Sequence, residues 1–442
     1  MTGQDAPGRG GPLIEVRGLR VDYGLGPDAV NAVIDADLTL AAGAVLGLAG
    51  ESGSGKSTLA YAMTRLLRAP GIITGGQVLL HSGAGPAVEE NAAAGEPTPL
   101  AGTVDLLAAD EGQLRELRWS RIAVVMQSAM HALNPVVTIG AQLTDVLQAH
   151  KLKMDRTDRR ARAAFLLEMV GISADNLRRY PHQLSGGMRQ RVMIAMALAL
   201  EPAVVIMDEP TTALDVVTQR EILTELAALQ RDLSFAVLFI THDLSLLVEL
   251  ADSIAVMYAG RLLEQAAAAD LYRAPRHPYT LGLLRSFPPL HGARKPLTGI
   301  PGSPADLRTP PPGCPFHPRC GYAMDVCRTE MPAAFRPGRG GGRSAACWLH
   351  DGTHEVPAEL AVPGPGSRSP GAVTGARTWA EAGTGTKAGT ATEAGTGTEA
   401  MAGAKPAAPP EPAAAAAAAR ELAAAAQPGE AAAAPDATGT RP

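Results

Sequence analysis

This 442-residue chain is short of three things. No apolar run approaches the roughly 18 residues that a bilayer crossing needs. The best candidate, "VMIAMALAL" (192–200), is cut off by Glu201 and Pro202, and the run of seven alanines from 413 is flanked by Pro412, Arg420 and Glu421. The opening "MTGQDAPGRGGPL" has no apolar core segment, so no secretion signal is expected there. Basic charge is scarce too. Lys and Arg number 39 against 44 Asp and Glu, a formal net charge of −5, which argues against a general nucleic-acid-binding surface. Cysteine is limited to four residues, with no C-x-x-C among them. These absences lead to the expectation of a soluble, cytoplasmic chain.

What is present divides the chain by composition. Residues 1–11 read as a loose tail. From Pro12 to about residue 265, apolar runs of strand length alternate with helix-length segments, the pattern of an α/β domain with a largely parallel sheet. The strand candidates are "LIEVRGLRVDY", "AVLGLAG", "RIAVVMQ", "AVVIMDE", "AVLFITH" and "SIAVMYAG". Several are unbroken apolar runs, as strands covered on both faces require. The stretch 81–102 is a soft, polar insert expected on the surface. Residues 266–350 are Pro-rich and hold every cysteine, and from 351 to 442 Ala, Gly, Pro, Thr and Glu dominate. That tail has too few large apolar residues to offset the entropy of ordering, so disorder is expected.

The nine residues "GESGSGKST" (50–58) follow the apolar run "AVLGLA" and precede the helix-like "STLAYAMTRLL". Strand, G-x-x-x-x-G-K-S and helix together are the context of a phosphate-binding loop. Gly50, Gly53 and Gly55 let backbone N–H groups converge on an anion, with Glu51, Ser52, Ser54 and Thr58 completing the seat. The helix N-terminus adds positive potential. Lys56 can reach the outer phosphates, and the Ser57 hydroxyl can ligate Mg²⁺. Downstream, "AVVIMDEP" ends an apolar strand in two carboxylates. Asp208 is placed to hold Mg²⁺ through water, and Glu209 stands where an attacking water would sit. A second glycine turn, Leu184, Ser185, Gly186 and Gly187, also precedes a helix. One ATP does not need two such loops from one subunit, so the second is expected to serve a neighbouring chain's nucleotide.

With these elements in order, residues 13–265 resemble the ATP-binding cassette (ABC) ATPases. Leu184–Gly187 match the signature of that family, with Met188 next, and "YPHQLSGGMRQR" is similar to the subunits that drive import of di- and oligopeptides or nickel. The resemblance implies a nucleotide-binding domain with a mostly parallel core, an antiparallel β edge subdomain and a helical signature subdomain at about 128–200. It also implies that Tyr23 stacks on adenine and that Gln127 touches Mg²⁺ and the membrane subunits. Asp215 of "TALD" falls in the loop crossing the dimer, and His242 of "FITHDLSLL" contacts the γ-phosphate. On this reading Mg²⁺ is held by Ser57, Gln127 and Asp208, and Ser185 and Gly187 of a second ATPase subunit close over the nucleotide. Glu209 then polarises water and His242 positions it.

The resemblance further implies two separate membrane permeases, an identical or sister ATPase, an indirect solute-binding protein (periplasmic or lipid-anchored), no nucleic acid, and a peripheral place on the cytoplasmic face of the plasma membrane. Peptides are the favoured cargo and nickel the next. "QSAMHALNP" departs from the commoner "QDPM-SLNP" where the membrane partner would dock. A soluble ABC ATPase of translation or DNA repair would bring two cassettes or a coiled coil, and neither is present. An ATPase of iron–sulfur assembly would lack the Pro/Cys-rich extension.

Cys314, Cys320, Cys327 and Cys347 lie within 34 residues. Free thiols are one reading of them. Four thiolates also suit zinc or an iron–sulfur cluster. "HPYTLGLL" through "PGCPFHPRC" resembles the C-terminal extension of peptide/nickel-type ATPases, some of which carry a [4Fe–4S] cluster there, and this favours the cluster over zinc.

Overall fold

The computed structural model describes residues 11–81, 102–127, 132–150, 154–212, 214–286, 299–336 and 343–361. The expected tail at 1–11, insert at 81–102 and tail at 351–442 lie outside these residues, apart from Gly11, His81, Gly102 and 351–361.

The strands, in chain order, are β1 (Pro12–Tyr23), β2 (Val30–Ala41), β3 (Val45–Ala49), β4 (Gly71–His81), β5 (Thr103–Asp105) and β6 (Ile122–Val125). They continue with β7 (Val204–Asp208), β8 (Ala236–Thr241), β9 (Ser253–Tyr258), β10 (Arg261–Ala267) and β11 (Ser344–Ala345). The helices are α1 (Lys56–Met63), α2 (Glu111–Leu117), α3 (Ile139–Ala149), α4 (Arg156–Met169) and α5 (Gly186–Ala197). After them come α6 (Val216–Leu233), α7 (Leu244–Leu250), α8 (Ala268–Arg273), α9 (Pro278–Arg285) and α10 (Asp325–Thr329). None of the helices among the described residues is long and apolar enough to cross a membrane.

The strands form two sheets. One has the order β2-β1-β4-β5 and is antiparallel. The other runs β11-β10-β9-β3-β8-β7-β6, parallel from β9 to β6, with β10 and β11 added antiparallel at one edge. The period of two along a strand explains the continuous apolar runs. In β7, Val204 and Ile206 join one core while Val205 and Met207 join the other, so both faces of the strand are covered. β8 repeats this, with Leu238 and Ile240 on one side and Val237 and Phe239 on the other.

"LIEVRGLRVDY" belongs to the antiparallel sheet rather than the parallel one. That sheet shares a core with α1: Leu19, Val21 and Val33 pack with Leu59 and Met63. The stretch expected to be helical holds α3, α4 and α5, apart from 128–131 and 151–153, which are not described. The change in composition near residue 266 falls within β10, and the chain beyond it packs into the same core as the parallel sheet, through Tyr279, Cys314 and Phe316.

Candidate functional site

Four neighbouring parallel strands end at one place. β3 delivers Gly50–Thr58, β7 delivers Asp208 and Glu209, β8 delivers His242, and β6 is followed two residues on by Gln127. Crevices at the carboxyl ends of parallel strands are where open α/β sheets take ligands.

The loop between β3 and α1 is shaped by close backbone approach. A Cβ on Gly50 (φ 152°) would stand 2.2 Å from the carbonyl oxygen of Met257, and one on Gly55 (φ 105°) would stand 2.3 Å from that of Ala32. Lys56 opens α1 and is buried, with Nζ donating to the carbonyls of Gly50 and Glu51, each at 2.8 Å. Burial pushes the Lys56 ammonium below its ordinary pKa, against the pull of Glu209, Asp208 and Glu51.

Ser57 and Tyr61 stand one turn apart on α1, and both hydroxyls donate to Asp208, to Oδ1 and Oδ2, each at 3.0 Å. Burial raises the Asp208 carboxyl above its usual range, and these two hydrogen bonds oppose the shift. Burial beside Asp208 pushes the Tyr61 phenol up to about 12, which keeps it a donor. Sequence reading missed Tyr61; its spacing of four from Ser57 was the available signal.

Glu209 follows with a left-handed backbone (φ 45°), its N–H bonded to the Ile240 carbonyl at 2.9 Å. Its Oε2 accepts from Gln127 Nε2 and Thr212 Oγ1, each at 3.0 Å, and Oε1 lies 3.2 Å from His242 Nδ1. Burial opposes ionisation here, but the bonds from His242 and Thr212 prevail and hold the carboxyl below its usual range. An ionised carboxylate beside a phosphate seat is equipped to polarise water. The amide nitrogen of Gln127 is thus tied to Glu209. Tyr23, at the end of β1, reaches the same helix, with its hydroxyl 3.3 Å from Thr58 Oγ1.

The hard oxygens of Ser57 and Asp208, held together at 3.0 Å, fit Mg²⁺, which takes one or two carboxylates and fills its remaining positions with phosphate and water.

The Leu184–Gly187 turn is built differently. Ser185 caps α5, its Oγ accepting from the Met188 N–H at 3.2 Å. A Cβ on Gly187 would stand 2.6 Å from Thr218 Cγ2. Asp215 caps α6, accepting from the N–H groups of Val217 and Thr218 at 3.1 and 3.0 Å, and these bonds lower its pKa. Among the described residues, no hydrogen bond joins either cap to Lys56, Ser57, Asp208, Glu209 or His242.

All four cysteines are free thiols and line one buried pocket with His277 and Phe316. Burial pushes the Cys314 thiol up to about 11 and those of Cys320 and Cys347 up to about 12, with neighbouring cysteines adding to the rise. Among the described residues, no group of three or more His, Cys, Asp or Glu is arranged to hold a metal ion, so neither the expected iron–sulfur cluster nor the zinc alternative gains support from this geometry.

Sequence reading also missed a contact between the C-terminal region and the phosphate loop. Arg319 donates to both carboxylate oxygens of Glu51, at 2.6 and 3.0 Å, and Tyr279 Oη accepts from the Glu51 N–H at 2.8 Å. Residues 268 apart carry no local signal of such a pairing.

The family described as "ABC transporter" matches residues 33–212, and that described as "Oligopeptide/dipeptide transporter, C-terminal region" matches 263–327. The chain is 40% identical to the oligopeptide transport ATP-binding protein OppD of Salmonella typhimurium, covering 76% of this chain and 95% of that one. It is 38% identical to the dipeptide transport ATP-binding protein DppD of Caldanaerobacter subterraneus subsp. tengcongensis, covering 77% and 97%. With OppD of Escherichia coli K12 the identity is 40%, covering 74% and 91%.

Proposed function

This chain belongs to the ATP-binding proteins of ABC transporters, and we propose that it is the ATP-hydrolysing subunit of an importer for dipeptides or oligopeptides. The observation that carries the reading is the hydrogen-bonded set at the ends of β3, β6, β7 and β8: Ser57 on Asp208, and Gln127, Thr212 and His242 on Glu209. The peptide cargo follows the names of relatives matching over both the cassette and the C-terminal region.

In this mechanism the adenine lies on Tyr23 and the triphosphate on Gly50, Glu51, Ser52, Gly53, Ser54, Gly55, Lys56, Ser57 and Thr58. Ser57, Gln127 and Asp208 would hold Mg²⁺, which would supply positive charge to the phosphates. Lys56 supplies fixed positive charge, Glu209 draws a proton from the attacking water, and His242 orients that carboxylate. Phosphoryl transfer depends mainly on positioning and charge stabilisation. Leu184, Ser185, Gly186 and Gly187 serve the nucleotide of a second ATPase subunit, with Asp215 in the loop between them. The chain acts at the cytoplasmic face of the plasma membrane through two permeases.

Glu209→Gln protein with Mg-ATP is expected to pair, with itself or with a sister ATPase, as measured by light scattering after size exclusion. The wild type is expected to co-purify with membrane permeases. Failure to pair, or to associate with any permease, counts against the importer reading.

An iron–sulfur cluster on the four cysteines is proposed from the resemblance of the extension; the cysteines line one pocket but are not arranged, among the described residues, to hold a metal ion, so binding would require them to move together. Protein purified without oxygen should be brown, absorbing near roughly 400 nm, and should contain iron. A colourless protein with stoichiometric zinc would reverse the assignment.

A further inference from the structure

A carboxylate inside a triphosphate seat is an electrostatic liability. Glu51 is the second residue of the loop "GESGSGKS", and its charge would repel the anion that the loop exists to hold. The structure answers that charge from 268 residues away. The side chain of Arg319 is only 5% exposed. Its Nη1 and Nη2 form a forked pair with Glu51, Nε donates to the Pro301 carbonyl at 2.8 Å, and Nη1 reaches Tyr258 Oη at 3.4 Å. The Glu51 N–H is bound to Tyr279 Oη, and the Glu51 carbonyl receives Lys56 Nζ. Residue 51 is therefore fixed at its side chain, its N–H and its C=O, and two of the three holds come from beyond β10.

The holders are themselves rigidly placed. Tyr279 lies in the first turn of α9, where the Tyr279 N–H donates to His277 Nδ1 at 3.0 Å. The N–H groups of Arg276 and His277 donate to the buried Glu264 carboxylate at 2.8 and 2.9 Å. Phe316 packs against Tyr258 and Tyr279 with ring centres 5.5 and 5.2 Å away, and the Arg319 guanidinium lies 5.9 Å from its centre.

We propose that Arg319 and Tyr279 are positioning residues for the phosphate loop, acting through Glu51, so that ATP affinity depends on the Pro/Cys-rich extension. Arg319 cancels the Glu51 charge, and both residues set the carbonyl on which Lys56 rests. The proposal rests on the ATPase reading above.

The test is ATP binding by fluorescent-nucleotide titration, with KM, kcat and thermal stability measured on the same full-length proteins. Arg319→Ala is expected to raise Kd and KM roughly 5- to 150-fold, the usual range of coupling between sites, with a smaller change in kcat. Arg319→Lys should recover part of the loss, as a point charge without the fork. Tyr279→Phe keeps the ring and removes only the oxygen on the Glu51 N–H; it should raise Kd several-fold with little change in melting temperature. Glu51→Gln placed in the Arg319→Ala background should restore ATP affinity, which a purely structural role for Arg319 would not allow. Folded Arg319→Ala and Tyr279→Phe proteins that bind ATP within about twofold of wild type would overturn the proposal, as would failure of Glu51→Gln to restore binding. Wild-type protein that does not bind Mg-ATP at all would overturn the ATPase reading and this proposal with it.

Discussion

At the scale of single residues, the proposed chemistry centres on Glu209. Its positive φ swings the carboxylate out of the line of β7 and towards His242, and the Ile240 carbonyl pins its N–H in that strained position. A non-glycine residue in this region costs about 1–2 kcal/mol, and such strain is characteristic of functional sites. Glu209→Gln keeps the shape and removes the base. It is expected to bind ATP normally while phosphate release falls about 10²- to 10⁴-fold. Near-wild-type phosphate release from this variant would refute the role of Glu209. Lys56→Ala removes the ammonium that satisfies the Gly50 and Glu51 carbonyls. It is expected to abolish nucleotide binding or hydrolysis while circular dichroism stays native.

At the scale of elements, carbonyls of β9 and β2 crowd the phosphate loop at Gly50 and Gly55. Gly50→Ala would drive a methyl group into the Met257 carbonyl, whereas a Cβ on Gly53 (φ 77°) meets nothing within 4 Å. Both variants strain the backbone, but only the first collides. Gly50→Ala should lower the melting temperature clearly more than Gly53→Ala, and equal melting shifts would contradict this packing account. The loop, its helix and the carboxylates of β7 were legible in the sequence because their spacing is local. The apolar runs of β3, β7, β8 and β9 were legible because both faces of each strand are buried. β2 and β4 escaped the reading, since burial on only one face leaves mixed sequences such as "VNAVIDADLTLA" without an apolar run. The hold of Arg319 and Tyr279 on Glu51 escaped it too, because tertiary contacts between distant residues leave no periodicity to read.

At the scale of the whole molecule, the buried polar groups behind the loop make stability depend on pH. His277 is completely buried, and that burial, with His350 nearby, pushes its pKa down to about 3. Between an unfolded value of about 6.5 and 3, the unfolded chain binds a proton that the folded chain refuses. Stability from this group is therefore complete above about pH 6.5 and is lost as the pH falls, by up to about 1.4 kcal/mol per pH unit. His277→Asn can still accept at the α9 cap but does not titrate there. Its melting temperature should fall less steeply than that of wild type between pH 7 and pH 4.5, and parallel slopes would exclude His277 as the source.

The strand β11 has a further consequence. Ser344 and Ala345 pair with Gln265 and Glu264, the Ala346 N–H reaches the Leu263 carbonyl at 2.7 Å, and Phe335 exchanges two backbone bonds with Ala345. The chain thereby covers the middle of its own β10 edge, Leu263–Gln265, with a segment made some eighty residues later. During synthesis that edge stays open until the ribosome has passed residue 345, an interval in which a nascent neighbour could zip onto it. A form clipped near residue 330 would carry the same open seam permanently. It should turn cloudy with rising concentration, where the full chain stays clear by light scattering.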